Sequence, residues 1–388
     1  MTATSKKTLR FILSFLFSAF AVHGLVASSL GQNVPSDPDE ALQYWIRAWV
    51  SASSPEREKE IEAAVKKLGK QAALSMASWI KSSNPALEDY PSNRAVDRFF
   101  TFLGLAAAPA VPILINALRE SSRKLPNDKE KFGFIIGQLG HIGPAASEAI
   151  DDILLAMDRA DVAFALSESA TTLYALAIDK NQESVKRITA FLGHPRLLVR
   201  TTAAVALAMT LPATEEVSAV IVEALEQKNP TITAHVLAWL PQFQGDRTKY
   251  LPQLMPLFSS DDKFVRLRAV QVVAYMRRDA LPSIDDALNS DNPTVRAMGA
   301  RAFYGVYYHL KETKASDWDY IEPRIGKLLQ DDEPEVQFYS LALLGQFRDR
   351  IDKSSALRKR VEELSQLGND KVKKAAHDLL KRIGTKVE

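Results

Sequence analysis

The side chains that carry most protein chemistry are thinly spread in this sequence. Five histidines, His141, His194, His235, His309 and His377, follow His23 of the N-terminal segment, and no two of them stand three or four residues apart. A helix presents a metal-binding pair only at that spacing. Cysteine is absent, which removes thiolate ligands, disulfides, a cysteine nucleophile and a lipid-modified N-terminal cysteine. There is no H-E-x-x-H, no phosphate-binding loop and no nucleophile elbow. Gly133, Gly137 and Gly140 share a helical pattern that no strand precedes, so close packing against a neighbouring helix is expected, not a dinucleotide site. His194 is expected as a polar turn residue. Carboxylates cluster in Asp261-Asp262 and Asp331-Asp332-Glu333, just before apolar helical runs. Acids there cap a helix and favour its dipole. No catalytic, cofactor-binding or metal-binding residue is expected.

The chemistry that remains is that of binding. Several predicted helices begin at a recurring Val or Ile, and along them positions +1, +4, +5, +7 and +8 mostly meet the core or a neighbouring repeat. Positions +3, +6 and +10 look outward. That outward stripe holds His235, Arg268, Gln271, Tyr275, Met298, Arg301, Tyr339 and Gln346, with Tyr308 one turn further along its helix. Tyrosine and arginine join apolar area to directional hydrogen bonds and are enriched where interfaces concentrate their energy. The candidate protein-binding residues are Arg268, Gln271, Tyr275, Arg301, Tyr308, Tyr339 and Gln346.

The elements that would position them repeat along the chain. "DNPTVRAMGARAF" from Asp291, "DDKFVRLRAVQVV" from Asp261 and "GHPRLLVRTTAAVALA" from Gly193 share a turn, a Val, an Arg and alanines at helical spacing. "NPTITAHVLAWL" from Asn229, "DEPEVQFYSLALLGQF" from Asp332 and "NDKVKKAAHDLLKRIG" from Asn369 are weaker copies. The anchors Val199, Ile232, Val265, Val295, Val336 and Val372 step by 33, 33, 30, 41 and 36 residues. The long step contains "KETKASDWD" from Lys311, expected as a loop insertion. Earlier copies take another form, a Leu-Gly, a small-residue and proline turn, then an amphipathic helix, at Leu103 and Leu139, with a weaker copy at Leu68. Both forms describe two short antiparallel helices, A and B, that bury their apolar faces only by stacking on the next pair. Longer loops are expected at Asn84–Asn93, Ser121–Lys129 and Leu310–Asp317, and capping helices at Pro38–Ser51 and Glu56–Leu68.

This pattern resembles the HEAT-repeat family, and the Leu-Gly-x-Ile-Gly-Pro version is similar to bacterial HEAT-like repeats related to phycobilisome lyase subunits. The resemblance covers Pro55 to Gly384 and implies an all-α solenoid, a superhelix of about nine antiparallel helix pairs. It implies binding by the concave side, lined by B helices. It also implies a ladder between the turn acid or amide and a first-turn arginine, matched by Asp291 and Arg296, by Asp261 and Arg266, and by Arg200. Thr233 and Gln337 depart from it.

The N-terminus carries a different signal. Lys6, Lys7 and Arg10 precede an apolar run from Phe11 to Ala27, then small residues at Ala27, Ser29 and Gly31. That is the pattern of a secretory signal peptide over residues 1–31. The run is about 17 residues, at the lower limit for a membrane span, so an uncleaved anchor is the alternative. No later stretch is expected to span a membrane. Residues 32–54 then form a tail and capping helix, 55–384 the solenoid and 385–388 a short tail. Without the signal the chain has 46 basic and 47 acidic side chains, and no basic stripe of the kind polyanion binding needs.

These observations point to a non-catalytic scaffold or adaptor in the periplasm or outside the cell, binding a protein or an extended peptide and not nucleic acid. A chromophore lyase-like or chaperone-like role is the alternative that the Leu-Gly-x-Ile-Gly-Pro resemblance implies, and export argues against it. A HEAT-like DNA glycosylase would need clustered basic and aromatic residues with a carboxylate; only Trp239, Arg268 and Asp262 suggest themselves.

Overall fold

The computed structural model describes residues 34–52, 54–82, 90–125, 127–159, 165–178, 181–310, 314–351 and 355–384. The signal-like segment, the last four residues and part of the expected insertion at Lys311 lie outside them. Helices account for all the regular structure among the described residues, and no strand occurs there. The chain divides into two compact units, Met1–Asp152 and Ile153–Glu388.

The first unit contains α1 (Pro38–Val50), α2 (Pro55–Leu68), α3 (Lys70–Ser82), α4 (Tyr90–Leu103), α5 (Val111–Arg123) and α6 (Lys129–Ile142). Helix α7 (Ile150–Arg159) carries the chain into the second unit. In the first unit α5 packs on α6, α3 on α5 and α4 on α6. Asp37 caps α1 and Ser54 caps α2, each ahead of a proline in the first turn. The Leu-Gly signature marks where one helix stops and the next begins. Gly104 and Gly143 take φ of +47° and +73°, a conformation that admits glycine without a Cβ penalty, and 3-10 turns then lead into α5 and α7.

Residues Asn93–Arg123 form a run apolar enough to cross a membrane, with mean hydropathy 1.8. The sequence pattern predicts no such stretch after the N-terminal segment. It is broken at Gly104, and Phe99, Phe100, Leu114 and Leu118 are buried within the unit, where α4 packs on α1, α2 and α6, and α5 on α3 and α6.

The second unit continues with α8 (Leu166–Leu176), α9 (Gln182–Thr189), α10 (Leu197–Thr210), α11 (Glu215–Glu226), α12 (Pro230–Trp239), α13 (Leu251–Leu254) and α14 (Lys263–Tyr275). Then come α15 (Leu281–Leu288), α16 (Pro293–Tyr308), α17 (Ala315–Leu328), α18 (Pro334–Leu344), α19 (Arg348–Ile351), α20 (Ser355–Leu367) and α21 (Asp370–Gly384). The pairs are consecutive: α9 with α10, α11 with α12, α15 with α16, α17 with α18, α20 with α21. The second members also touch in sequence, α10, α12, α14, α16, α18 and α21 forming one stack of B helices.

The turn chemistry explains where each B helix starts. Asn229, Asp262, Asn292 and Glu333 accept hydrogen bonds from first-turn amides, and Pro230, Pro293 and Pro334 follow with a backbone angle preset for a helix. The anchors Val199, Ile232, Val265, Val336 and Val372 are buried; Val295 is half-buried.

Three loop boundaries differ from expectation. Tyr90–Asn93 is already helical, α5 runs on to Arg123, and α17 starts at Ala315. Asp317 causes the last: its carboxylate accepts the Lys314 amide at 2.6 Å, which opens a helix inside the expected insertion. The glycines of α6 also differ. A Cβ at Gly133 or Gly137 would touch nothing within 4 Å, so these are not close-packing positions. The close approaches between helices lie in α16, where a Cβ on Gly305 would come within 2.8 Å of the Ala274 Cβ and one on Gly299 within 3.1 Å of Ala287.

Candidate functional site

The B-helix stack brings most of the expected binding residues together. α14 contributes Arg268 and Gln271, α16 contributes Arg301 and Tyr308, and α18 contributes Tyr339, all lining one groove of about 400 Å³. Gly305 forms part of its floor, where the lack of a side chain lets α16 lie close to α14. Tyr275 stands at the rim: its hydroxyl accepts the Gln271 amide at 3.4 Å, and its ring meets that of His309, tilted by 31°, at 4.7 Å between centroids. The seventh candidate, Gln346, is exposed in the 3-10 turn after α18 and does not line the groove.

The walls are an aromatic chain. Tyr308 meets His309 at 5.3 Å and Tyr304 at 5.5 Å, and Tyr304 meets Tyr339 at 6.2 Å. The Arg301 guanidinium lies 5.6 Å from the centre of the Tyr339 ring, and Arg268 donates to Gln271 at 3.3 Å. Beyond Tyr339, Phe338 carries the Lys371 ammonium at 4.2 Å, and Lys371 also pairs with Glu335 at 3.3 Å. Burial pushes the Tyr339 and Tyr304 hydroxyls above the ordinary phenol value, so both stay neutral hydrogen-bonding groups.

Two members of the outward stripe are inside. His235 and Met298 are buried, at 5% and 6% exposure. Both occupy the +3 position, which lies at the seam between neighbouring B helices. A long side chain with a polar tip reaches solvent there, as Arg268 does and Tyr339 does in part, whereas the short imidazole of His235 and the apolar chain of Met298 are covered. Burial drops the His235 pKa to about 4, and its Nε2 has no hydrogen-bond partner.

Three ring-bearing groove residues, Phe264, Tyr304 and His309, are not among those that helical phase picks out. Phe264 is 78% exposed at the start of α14. The residue before the anchor is Thr231, Thr294, Glu335 or Lys371 in four of the five other copies and the buried Leu198 in the fifth, so an apolar residue there is a weak signal of an exposed ring. Tyr304 falls one residue before the +10 position, and His309 follows the last turn of α16, so neither lies on the phases chosen.

The expected arginine ladder takes a different form. Arg266 and Arg296 hold the carbonyls of Asp261 and Asp291, not their carboxylates, and Arg200 holds those of His194 and Pro195. Where arginine is missing, another donor does the same work. Gln337 Nε2 donates to the Asp331 carbonyl at 2.6 Å, and Thr233 Oγ1 to the Gln227 carbonyl at 3.3 Å. Arg296 alone of these residues also reaches the next turn, with Asp331 at 2.8 and 3.1 Å and Asp332 at 2.8 Å. His194 is a turn residue, its Nδ1 accepting the Arg196 amide.

The A helices are tied by charge. Arg324 donates twice to Asp285, at 2.7 Å each, and the Tyr320 hydroxyl joins at 2.6 Å. Burial works to raise the Asp285 pKa, but the hydrogen bonds from Arg324 and Tyr320 outweigh it and hold the carboxyl below its ordinary range. In the first unit Arg119 grips Asp152 in the same way, at 2.6 and 2.9 Å.

Three other clefts are larger. One of about 750 Å³ in the first unit is lined by Asp39, Arg47, Ser75 and Trp79. Two in the second unit, of about 640 and 590 Å³, are bounded by Leu251, Met255, Asp279 and Asp286 and by Asn229, Gln253, Pro256 and Asp262. None concentrates aromatic rings and guanidinium groups as the B-helix groove does, and those groups matter more for recognition than volume. Among the described residues no three His, Asp or Glu side chains are placed to hold a metal ion.

No model of a known protein family matches this sequence, and no curated protein matches it. Solved structures do. The chain is similar to one in the Kap95:Nup1 complex at 13% identity and a TM-score of 0.50, over 92% of this chain and 48% of that one. It is also similar to the karyopherin Kap121p bound to the extreme C-terminus of the protein phosphatase Cdc14p, at 14% identity and a TM-score of 0.49, over 91% and 42%. Human deoxyhypusine hydroxylase in complex with glycerol aligns over 70% of this chain and 98% of its own, at 16% identity and a TM-score of 0.25. The chain thus spans about half the length of the karyopherins it matches. The likeness to the chain of the Kap95:Nup1 complex shows the fold alone, the HEAT-repeat α-solenoid.

Proposed function

We propose that this chain is a non-catalytic scaffold that binds a protein or an extended peptide outside the cytoplasm, on the B-helix face that the HEAT architecture makes concave. One observation carries the reading: Arg268, Gln271, Arg301, Tyr308 and Tyr339, chosen by helical phase, line a single groove across α14, α16 and α18. Aromatic rings and arginines gathered in one place are what interface hot spots are made of. The karyopherin structures that share the fold are complexes with protein partners, which supports a protein partner here. Placement outside the cytoplasm rests on the signal-like N-terminus, and N-terminal sequencing of the native protein tests it. A start near Leu30 or Gln32 is expected; an intact Met1 in a soluble cytoplasmic fraction counts against export.

The groove is tested by site-specific photocrosslinking in the native cell. A crosslinker replacing Tyr308, which is 62% exposed in the groove, should capture a partner, while one replacing Leu367, 82% exposed at the end of the A helix α20, should not. Capture from Leu367 alone sinks the assignment of the face. A second measurement uses the pair Arg301→Ala and Tyr275→Ala. Hot spots lose at least ~2 kcal/mol on truncation, so the double variant should bind its partner at least about tenfold more weakly. Its melting temperature should hardly move, because neither side chain is buried. Normal binding by a stable double variant would refute the groove.

A further inference from the structure

We infer that the groove across α14, α16 and α18 selects an acidic extended peptide, whose carboxylates seat on Arg268 and Arg301 while its apolar side chains lie on the tyrosines. This rests on the scaffold reading above and specifies its partner.

Charge balance around the groove favours an acidic occupant. Other arginines of this unit are engaged. Arg200 meets Glu223, Arg278 meets Asp317, Arg296 meets Asp331 and Asp332, and Arg324 meets Asp285, while Arg247 and Arg266 are held by backbone carbonyls. Arg268 and Arg301 have neither kind of partner. The hydrogen-bond partner of Arg268 is the neutral Gln271, and Arg301 lies over the Tyr339 ring. No carboxylate lines the groove between them, and His309 adds a third nitrogen base to its wall. Glu335, the nearest acid electrically to Tyr339, is matched by Lys371. The result is two guanidinium groups with no counter-charge among the described residues, bordering an aromatic surface that leaves Tyr308 62% and Phe264 78% exposed.

That combination selects against its alternatives. A basic segment would meet like charge, and a neutral one would leave the guanidinium groups partly desolvated and unpaired. A carboxylate forms a charge-assisted, bidentate hydrogen bond with arginine. Geometry sets the spacing. Neighbouring packed helices lie about 8–10 Å apart, and an extended chain advances about 3.3 Å per residue. The two arginines, on adjacent helices, are therefore matched by acids two or three residues apart in a segment running across the B helices. The side-chain amide of Gln271 beside them suits the peptide backbone.

The test is fluorescence anisotropy on the full chain at low ionic strength. The probes are three labelled peptides about twelve residues long, enough to cross four B helices. Each has leucine and serine with, at every third position, glutamate, glutamine or lysine. The glutamate peptide should bind at least about tenfold more tightly than the glutamine peptide, and the gap should close as salt screens the charges. Arg268→Gln with Arg301→Gln should abolish the gap, whereas Arg301→Lys alone should keep part of it. Tyr308→Ala should weaken both peptides alike. Equal binding of the glutamate and glutamine peptides, lost together in Tyr308→Ala, overturns the acidic preference and leaves the scaffold reading standing. Preference for the lysine peptide also overturns it. If none of the three binds, the inference fails; the scaffold reading fails with it only when the Tyr308 crosslinker captures nothing either.

Discussion

His235 shows how much a single side chain changes when it moves from a surface to a seam. By phase it belonged to the outward stripe; in the structure it is enclosed, and burial takes its pKa to about 4. An unfolded histidine titrates near 6.5. Above that pH both states are neutral and His235 adds no pH dependence. Between about 6.5 and 4 the unfolded chain binds a proton that the native chain refuses, so stability must fall as the pH falls. A displacement of that size corresponds to roughly 3 kcal/mol lost by pH 4. Burial also lowers the His141 pKa in the first unit, so the contribution of His235 is isolated by comparison with His235→Leu. Denaturant midpoints measured from pH 7 to pH 4.5 should drop less in the variant than in the parent, and parallel curves would show that the imidazole is not buried neutral. The aspartates act in another window. Arg278 and the Lys314 amide hold Asp317 below the usual carboxylate range despite its desolvation, so its stabilisation is present above about pH 4 and is lost only as the pH falls further. Replacing it with alanine should cost about 1–3 kcal/mol at neutral pH, from the lost cap and the unpaired Arg278, read as a lower melting temperature.

At the level of elements, helix starts were legible and helix seams were not. Asn229-Pro230, Asp262 and Asn292-Pro293 mark B-helix starts because their chemistry is local: a side-chain oxygen reaches an amide two or three residues on, and proline needs no amide at the first turn. The seams depend on which residue faces which across two helices, and one sequence does not encode that in its spacing. The glycines illustrate the point. Gly133 and Gly137 have the regular spacing of a packing motif, yet a side chain added there would meet nothing within 4 Å, whereas Gly305 makes the close contact with α14. Gly305→Ala should therefore destabilise the second unit by about 1–3 kcal/mol through overpacking, although it adds a better helix former. Ala274→Gly in the same chain should relieve the clash. A double-mutant cycle in urea is then expected to show coupling of at least about 0.5 kcal/mol between the two sites; additive effects would mean that the helices do not meet there. The groove follows the same rule, since Arg268, Arg301 and Tyr339 were found by phase, but Tyr304 and His309 join it through contacts between helices.

For the whole molecule, the period of the sequence already required an array, because a pair of short helices cannot bury its apolar face alone. The division into two units at Asp152 and Ile153 was not legible, since α7 runs through the boundary with no proline, glycine or polar linker to mark it. Within the second unit the architecture makes a physical claim about stability. Each pair contacts its neighbours, so free energy should be additive along the stack and damage should stay local. Phe303 allows a sharp test. It is buried in α16, with its ring 5.5 Å from that of Tyr307 and 6.2 Å from that of Tyr320 in α17. Phe303→Ala should remove about 3–5 kcal/mol from its own pair. A compact domain with a single core would spread that loss over every amide whose exchange requires global unfolding. A stacked array should instead lose protection in α14 to α18 and keep it in α10 and α11, several pairs away. Hydrogen exchange read peptide by peptide distinguishes the two. Equal loss of protection in α10, α11 and α16 would mean that the second unit unfolds as one block, and that its repeats share a core and not merely their nearest interfaces.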